Sequence, residues 1–169
     1  MALYPIRTFG DPVLRLNTKP VLEIDDTIET LVADMIEIMY AAPGVGLAAN
    51  QIGISKKVAV FDAQDDLGPR VMINPKIVET SGNWLYEEGC LSVPGHSWEI
   101  SRPGFARVQA LDLSGQEVEY AGDGLVGRVL QHEVGHLNGK LLIDVLDRPV
   151  RKQALRDLRE EALGLATFE

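Results

Sequence analysis

The sequence lacks the features that would place the protein in a membrane, outside the cell or on nucleic acid. No apolar run approaches the length of a transmembrane helix, and residues 1–7 have neither the charged region nor the long apolar region of a signal peptide. Basic residues are also in the minority, with 16 Lys and Arg against 25 Asp and Glu and a net charge of -9. These absences predict a cytoplasmic protein with no general affinity for DNA or for an anionic membrane.

Cysteine is equally scarce. Cys90 is the only cysteine among 169 residues, so no intrachain disulfide can form, and its side chain is a core residue, a metal ligand or a nucleophile. No repeat, linker or low-complexity tract divides the chain, and its 46% hydrophobic content is ordinary for a globular protein. The sequence predicts one domain over residues 1–169. The motifs described below indicate that this domain is catalytic.

Hydrophobic periodicity predicts three helices, at residues 26–40, 124–138 and 149–163. Asp26 and Glu29 have the spacing of a capping box at the start of the first helix. Asp123 is placed to cap the second helix, and Pro149 suits the first turn of the third. The apolar stripe predicted for the third helix is Leu155, Leu158 and Ala162.

Alternating apolar and polar residues predict short strands between the first two helices. These strands fall at residues 57–62, 70–73, 76–80, 106–113 and 116–120. Ser114 and Gly115 have the chemistry of a hairpin turn, whereas Asn74 and Pro75 predict a break between two strands. Residues 87–95 are predicted to be a strand end or a loop. The region from 57 to 120 is therefore expected to be mostly antiparallel sheet.

The most specific pattern is His-Glu-x-x-His at residues 132–136. His132 and His136 are four residues apart on one helical face, so both imidazoles can reach one metal ion, with Glu133 beside them. The alternative is a pair of hydrogen-bonded core histidines. A catalytic site of the zinc type also needs a third protein ligand and an open position for water.

Several residues are candidates for that third ligand. Leu142 occupies the place where a metzincin has its third histidine, which excludes that family of sites. Glu160 and Glu161 have charged neighbours and are expected on a solvated helix face, and His96 is expected to be an exposed loop residue. Cys90 follows a glycine that lets the backbone aim the sulfur, although a buried structural cysteine remains the alternative.

A thiolate with two imidazoles suits zinc, iron(II), cobalt or nickel. Such a metal lowers the pKa of a bound water and polarises a carbonyl, while Glu133 can take the proton from the water and pass it to a leaving amine. Gln51 and the backbone N–H of Leu91 are the candidate donors to the developing oxyanion.

Three separated stretches resemble, in order and separation, the signature motifs of the peptide deformylases. They are residues 44–51 (GVGLAANQ), 88–92 (EGCLS) and 131–139 (QHEVGHLNG). The resemblance implies an α+β fold of mostly antiparallel sheets packed around a central metal-binding helix, with an N-terminal and a C-terminal helix. It also implies a hydrolase that removes the formyl group from the N-terminal formylmethionine of new proteins and releases formate.

The resemblance implies a role for each matching residue. The metal ligands are Cys90, His132 and His136. Glu133 is the general acid and base, and Gln51 and the Leu91 amide contact the oxyanion. The family's metal is Fe(II), for which zinc, nickel or cobalt can substitute.

The substrate contacts come from the same resemblance. The methionine side chain enters an apolar pocket lined by Val45, Leu125 and Val129. Gly44 and Gly46 pair with the backbone of the N-formylmethionyl peptide.

The chain departs from the family pattern at three positions. Gly135 replaces an acidic residue of many members and should destabilise its helix by about 1 kcal/mol relative to Ala. Asn50 takes the variable place before Gln51. Arg128 lies one turn before His132, where an apolar residue is usual, and we expect its side chain to point into solvent rather than to a peptide carboxylate or carbonyl.

Residues 148–159 form a basic stretch in an acidic protein, with five Lys and Arg against Asp157 alone. Because the family works beside the ribosomal exit tunnel, the stretch can contact ribosomal RNA phosphates, and an ordinary solvated helix is the alternative.

Two other functions also fit a three-ligand metal site of this kind. One is a metallopeptidase that cuts internal peptide bonds. The other is a protein without enzymatic activity, in which the three ligands hold a structural metal.

Overall fold

The computed structural model describes residues 4–165. The two ends of the predicted domain, residues 1–3 and 166–169, lie outside the described residues. Residues 1–3 also belong to the N-terminal segment that lacks signal-peptide features. The helices are α1 (Asp26–Ala41), α2 (Gly124–Leu137) and α3 (Arg148–Ala162). The strands are β1 (Gly46–Ala48), β2 (Val58–Phe61), β3 (Arg70–Ser81), β4 (Trp84–Gly89), β5 (Ser97–Arg102), β6 (Phe105–Leu111) and β7 (Glu117–Asp123). Single 3-10 turns cover Pro12–Arg15, Ala49–Ile52 and Leu142–Val145. The predicted α+β class is confirmed.

Helix α1 begins one residue away from the predicted cap. Asp25 is the N-cap, because its backbone is extended and its carboxylate accepts the backbone N–H groups of Thr27 and Ile28 at 3.1 and 3.2 Å. Asp26 is already helical, so the predicted capping box of Asp26 and Glu29 is wrong.

Five antiparallel strands form the main sheet in the order β1-β2-β3-β6-β7. The predicted hairpin joins β6 to β7, and Gly115 in its turn has a φ of 78°, a left-handed conformation that favours glycine. The Asp112 carboxylate accepts the backbone N–H of Ser114 at 2.8 Å and stabilises the turn. The prediction of this hairpin is confirmed.

Strand β3 is continuous where the sequence predicts a break. Asn74 has a φ of 52°, and the pairing with β6 shifts register between Ile73 and Lys76, so the strand passes through Asn74 and Pro75. The Asn74 side chain also exchanges two hydrogen bonds of 2.8 Å with the backbone of Val21. These contacts hold the irregular residue within the strand.

Strands β4 and β5 form a separate two-stranded antiparallel sheet. The strand prediction does not include β5, although Trp98 and Ile100 alternate with polar residues there. The end of β4 leads directly into Cys90.

Helix α2 packs against the main sheet through apolar side chains. Val129, Leu130, Val134 and Leu137 are buried with apolar residues of β2, β3 and β6. Asp123 occupies the predicted N-cap position, but its side chain makes no capping hydrogen bond. The helix that carries both histidines is therefore fixed mainly by burial of its apolar face.

Helix α3 buries Ala154 and Leu158, which lie four residues apart on one face. The predicted stripe is correct at Leu158 and wrong at Leu155 and Ala162, which are exposed. None of the helices between residues 4 and 165 is both long and apolar enough to cross a membrane.

Candidate metal centre

The structure brings the three predicted ligands together at one point. Cys90 follows β4, and His132 and His136 lie one turn apart on α2. The Cys90 Sγ is 3.2 Å from His136 Nε2, which is 3.1 Å from His132 Nε2, and the three donor atoms lie within 4.8 Å of one another. Donors at about 2.0–2.3 Å from one tetrahedral ion are roughly 3.3–3.6 Å apart, which is close to the two shorter separations here, so this donor set fits one divalent metal.

The rejected ligand candidates lie away from this cluster. His96 Nε2 lies 2.8 Å from Glu161 Oε1, and the His96 ring stacks on Trp98 with 5.6 Å between centroids. Glu160 and Glu161 are exposed on α3, as predicted. His96 lies in a loop, as predicted, but is half-buried rather than exposed, because Glu161 and Trp98 cover it.

Glu88 orients His132, a role that the sequence did not predict. Its Oε1 lies 2.5 Å from His132 Nδ1, and since a carboxylate only accepts, Nδ1 carries the proton and Nε2 is free for a metal. Burial would raise the pKa of Glu88, but hydrogen bonds from His132 and Arg102 outweigh burial and hold the pKa well below its usual value. The signal in the sequence is an acidic residue two places before Cys90.

Arg128 lies in the interior, so the prediction that it points into solvent is wrong. Only 3% of its surface is exposed. Its guanidinium donates to Glu88 Oε2 at 3.0 Å and to the backbone carbonyls of Ile100 and Trp84 at 3.0 and 2.6 Å. A carboxylate and two strand carbonyls thus compensate for the loss of hydration.

Glu133 is buried beside the ligands and faces strand β1. Burial raises the pKa of Glu133 to about 7, a value at which a carboxyl group both accepts and donates a proton near neutral pH. The carboxylate fits because Gly46 has no side chain, since a β-carbon there would lie 2.7 Å from Glu133 Cδ. Among residues 4–165 nothing hydrogen-bonds to Glu133 Oε2.

The amide of Gln51 is held with its NH₂ group toward the cluster. Its Oε1 accepts the backbone N–H of Ala48 at 2.9 Å, and its Nε2 donates to Ser92 Oγ at 3.1 Å and lies 3.7 Å from Cys90 Sγ. Leu91 follows Cys90 and is half-buried.

Asn50, the residue in the motif's variable place, supports the end of α2. It is buried, and its Nδ2 donates to the His136 carbonyl at 2.6 Å.

Burial lowers the pKa of His136, so its ring is neutral, as a metal ligand requires.

A cavity of about 590 Å³ opens over the cluster. Its lining includes every predicted catalytic and substrate-binding residue and two of the three predicted metal ligands. The catalytic candidates are Gln51, Leu91 and Glu133, and the two ligands are Cys90 and His132. The substrate-binding candidates are Gly44, Val45, Gly46, Leu125 and Val129. Tyr86, Glu88 and Arg128 also line the cavity. His136 lies behind the cavity, and the functional roles of the lining residues remain predictions.

The comparisons with known proteins agree with these features. The family model described as polypeptide deformylase matches residues 3–152. A peptide deformylase of Cellvibrio japonicus is 48% identical over 164 residues, which cover 95% of this chain and 96% of the relative.

Solved structures are similar over nearly the whole chain. The crystal structure of a peptide deformylase from Legionella pneumophila has 41% identity and a TM-score of 0.87, covering 98% of this chain and 100% of that one. The peptide deformylase of Ehrlichia chaffeensis in complex with actinonin has 38% identity and a TM-score of 0.88, covering 95% of this chain and 98% of that one. The chain therefore belongs to the polypeptide deformylase family, metal-dependent enzymes that hydrolyse the N-terminal formyl group of formyl-methionyl peptides.

Proposed function

We propose that this chain deformylates formyl-methionyl peptides with one divalent metal held by Cys90, His132 and His136. The observation that carries the proposal is the cluster of one sulfur and two imidazole nitrogens at a cavity that also contains the buried Glu133 carboxylate. A softer thiolate donor with two imidazoles suits Fe(II), and zinc, nickel or cobalt can substitute in the same donor set.

When bound, the metal supplies a water of lowered pKa and polarises the formyl carbonyl. Glu133 takes one proton from the water as its oxygen bonds to the formyl carbon. The same carboxyl group then gives that proton to the amine nitrogen as the carbon–nitrogen bond breaks, which yields formate and a free N-terminus. Burial of Glu133 excludes bulk water from this proton transfer.

Gln51 and Leu91 stabilise the developing oxyanion. The bond from Ala48 N–H fixes the Gln51 carbonyl oxygen, so the NH₂ group stays directed to the Cys90 side of the cavity without reorganisation during the reaction. The backbone N–H of Leu91 is the second donor, one residue after the thiolate.

The shape and lining of the cavity support a binding mode for a formyl-methionyl chain. Val45, Leu125 and Val129 form its apolar part, which takes the methionine side chain. The edge around Gly44 and Gly46 lets the peptide backbone approach closely enough to pair with the strand.

Contact of α3 with ribosomal RNA remains a prediction, as does the cytoplasmic location that such contact requires. The five basic residues are exposed on α3, and Arg151 is engaged with Asp144 at 3.2 Å. Sedimentation with ribosomes tests the contact, and binding that does not weaken with added salt would contradict it.

The test of the proposed function is formate release by anaerobically prepared, Fe(II)-loaded protein from a formyl-Met tripeptide. We expect release from this substrate and no cleavage of an internal peptide bond in a peptide blocked at both ends. Cleavage of the blocked peptide would favour a metallopeptidase, and no formate release would contradict the proposal.

Glu133→Gln is the variant that tests the mechanism, because it keeps the size of the side chain and removes its proton transfer. We expect the variant to keep one metal per chain and to lose about 10²–10⁴-fold in kcat/KM. An unchanged rate would exclude Glu133 from the reaction, and metal bound without any activity in the wild type would favour a structural site.

A further inference from the structure

The metal ligands lie on two separately hydrogen-bonded parts of the molecule. Cys90 follows β4 in the two-stranded sheet, whereas His132 and His136 lie on α2, which packs against the five-stranded sheet. No strand pairing joins the two sheets between residues 4 and 165. Contacts between α2 and the two-stranded sheet therefore contribute to the distance from the sulfur to the imidazoles, beside the hydrogen bond from Gln51 to Ser92, two residues after Cys90.

Arg128 makes these contacts from the helix side. One guanidinium reaches the β4 carbonyl of Trp84, the β5 carbonyl of Ile100 and the carboxylate of Glu88, at 2.6, 3.0 and 3.0 Å. The guanidinium carbon also lies 4.9 Å from the centre of the Trp84 ring and 5.7 Å from that of Tyr86. The side chain is thus fixed at both strands at once.

We propose that Arg128 is a positioning residue that holds the sheet carrying Cys90 against the helix carrying the two histidines. This inference rests on the proposed function, because it takes these three residues as ligands of one metal. By holding Glu88, which bonds His132 Nδ1, Arg128 fixes both the place of the sulfur and the direction of one imidazole.

Arg102 cannot do the same, although it also bonds Glu88, at 2.7 and 2.9 Å. Arg102 lies on β5 and Glu88 on β4, so their ion pair stays within the two-stranded sheet. Arg128 is a residue of α2, and its bonds cross from the helix to the sheet. The planar fork of an arginine reaches several acceptors together, which a lysine ammonium on a single flexible stem does not reproduce.

The test compares cobalt-loaded Arg128→Met with a matched control, Arg70→Met. Arg70 is also largely buried, pairs with a carboxylate, Asp65 at 2.7 Å, and lies 4.5 Å from an aromatic ring centre, that of Phe61. It does not line the cavity. Both substitutions therefore remove an ion pair and a cation–π contact, and only one removes the bridge to the two-stranded sheet.

The measurements are the cobalt dissociation constant by chelator competition and the intensity of the thiolate-to-cobalt absorption band. We expect Arg128→Met to bind cobalt about 10–100-fold more weakly and to lose part of the band, and Arg70→Met to change the constant less than about twofold. Arg128→Lys should lie between wild type and Arg128→Met.

Equal cobalt binding by the two methionine variants, with unchanged bands, would overturn the proposal. If Arg128→Met does not fold, Arg128→Lys decides, and wild-type affinity in that variant would also overturn it. Failure of the proposed function looks different, because the wild type itself would then bind no cobalt or release no formate.

Discussion

Helix α2 meets the five-stranded sheet and the two-stranded sheet in different ways. On the first side the junction is apolar and close, with Val129, Leu130 and Val134 buried against strand residues. On the second side it is charged, with Arg128 and His132 both bonded to Glu88. The hydrophobic effect that drives apolar burial has no preferred direction, whereas a forked ion pair with backbone acceptors fixes orientation.

This difference corresponds to two separate requirements of the metal site. The helix needs a stable position in the core, which burial of its apolar face provides at about 25 cal/mol per Å² of apolar surface. The ligands need a defined geometry, which a buried polar network provides when each member has its partners. Substitutions on the first side should therefore change stability or block the cavity, and substitutions on the second should change metal binding.

Gly46→Ala should have the largest effect, because it breaks the close junction where β1 meets the Glu133 carboxylate. The added carbon would lie 2.7 Å from Glu133 Cδ and 2.8 Å from Val129 Cγ2, so the carboxylate must move. We expect kcat/KM for formate release to fall by about 10²–10⁴-fold, the usual contribution of a positioned acid and base.

Gly44→Ala is the control in the same segment. Its β-carbon would meet the end of the flexible Leu91 side chain at 2.8 Å, which can rotate away, so less than about tenfold should be lost. Similar activities for the two variants would show that close approach at Gly46 does not position Glu133.

Gly127→Ala should reduce stability on the same apolar side. Its β-carbon would lie 2.6 Å from the Gly122 carbonyl oxygen and 3.0 Å from that of Gly104, and backbone atoms cannot rotate away. We expect the free energy of unfolding to fall by about 1–3 kcal/mol, measured as a lower urea midpoint at an unchanged slope. A variant as stable as wild type would mean that α2 can shift on the main sheet.

The apolar junction and the meeting of the two histidines on one helical face were predictable from the sequence for a simple reason. Local spacing places His132 and His136 on one face, and helical periodicity identifies the buried side of α2. The strand break predicted at Asn74 was wrong because β3 carries one extra residue between Ile73 and Lys76 in its pairing with β6, a register shift that local sequence does not reveal.

The charged junction could not be predicted in the same way. Arg128 has its acceptors at Trp84, Glu88 and Ile100, which are 28 to 44 residues away in the chain. Nothing near Arg128 indicates that these groups converge, so a charged side chain is expected in solvent by default. The role of Glu88 depends on the same long-range contacts, although its place beside Cys90 in the motif is visible.

Gly135→Ala should have the smallest effect, because Gly135 contributes to neither junction. A β-carbon there would meet only Lys140 Cβ, at 3.9 Å, an ordinary van der Waals distance. Alanine in place of a helical glycine should raise the free energy of unfolding by about 0.5–1 kcal/mol, seen as a higher urea midpoint, with formate release within about twofold of wild type. Gly139→Ala is the control four residues on. Its φ of 73° and the carbonyl carbon of Arg15 at 2.8 Å predict a loss of stability instead. A lower midpoint for Gly135→Ala would mean that the ligand-bearing turn needs the glycine itself, and that the helix between the two histidines is held less firmly than its packing indicates.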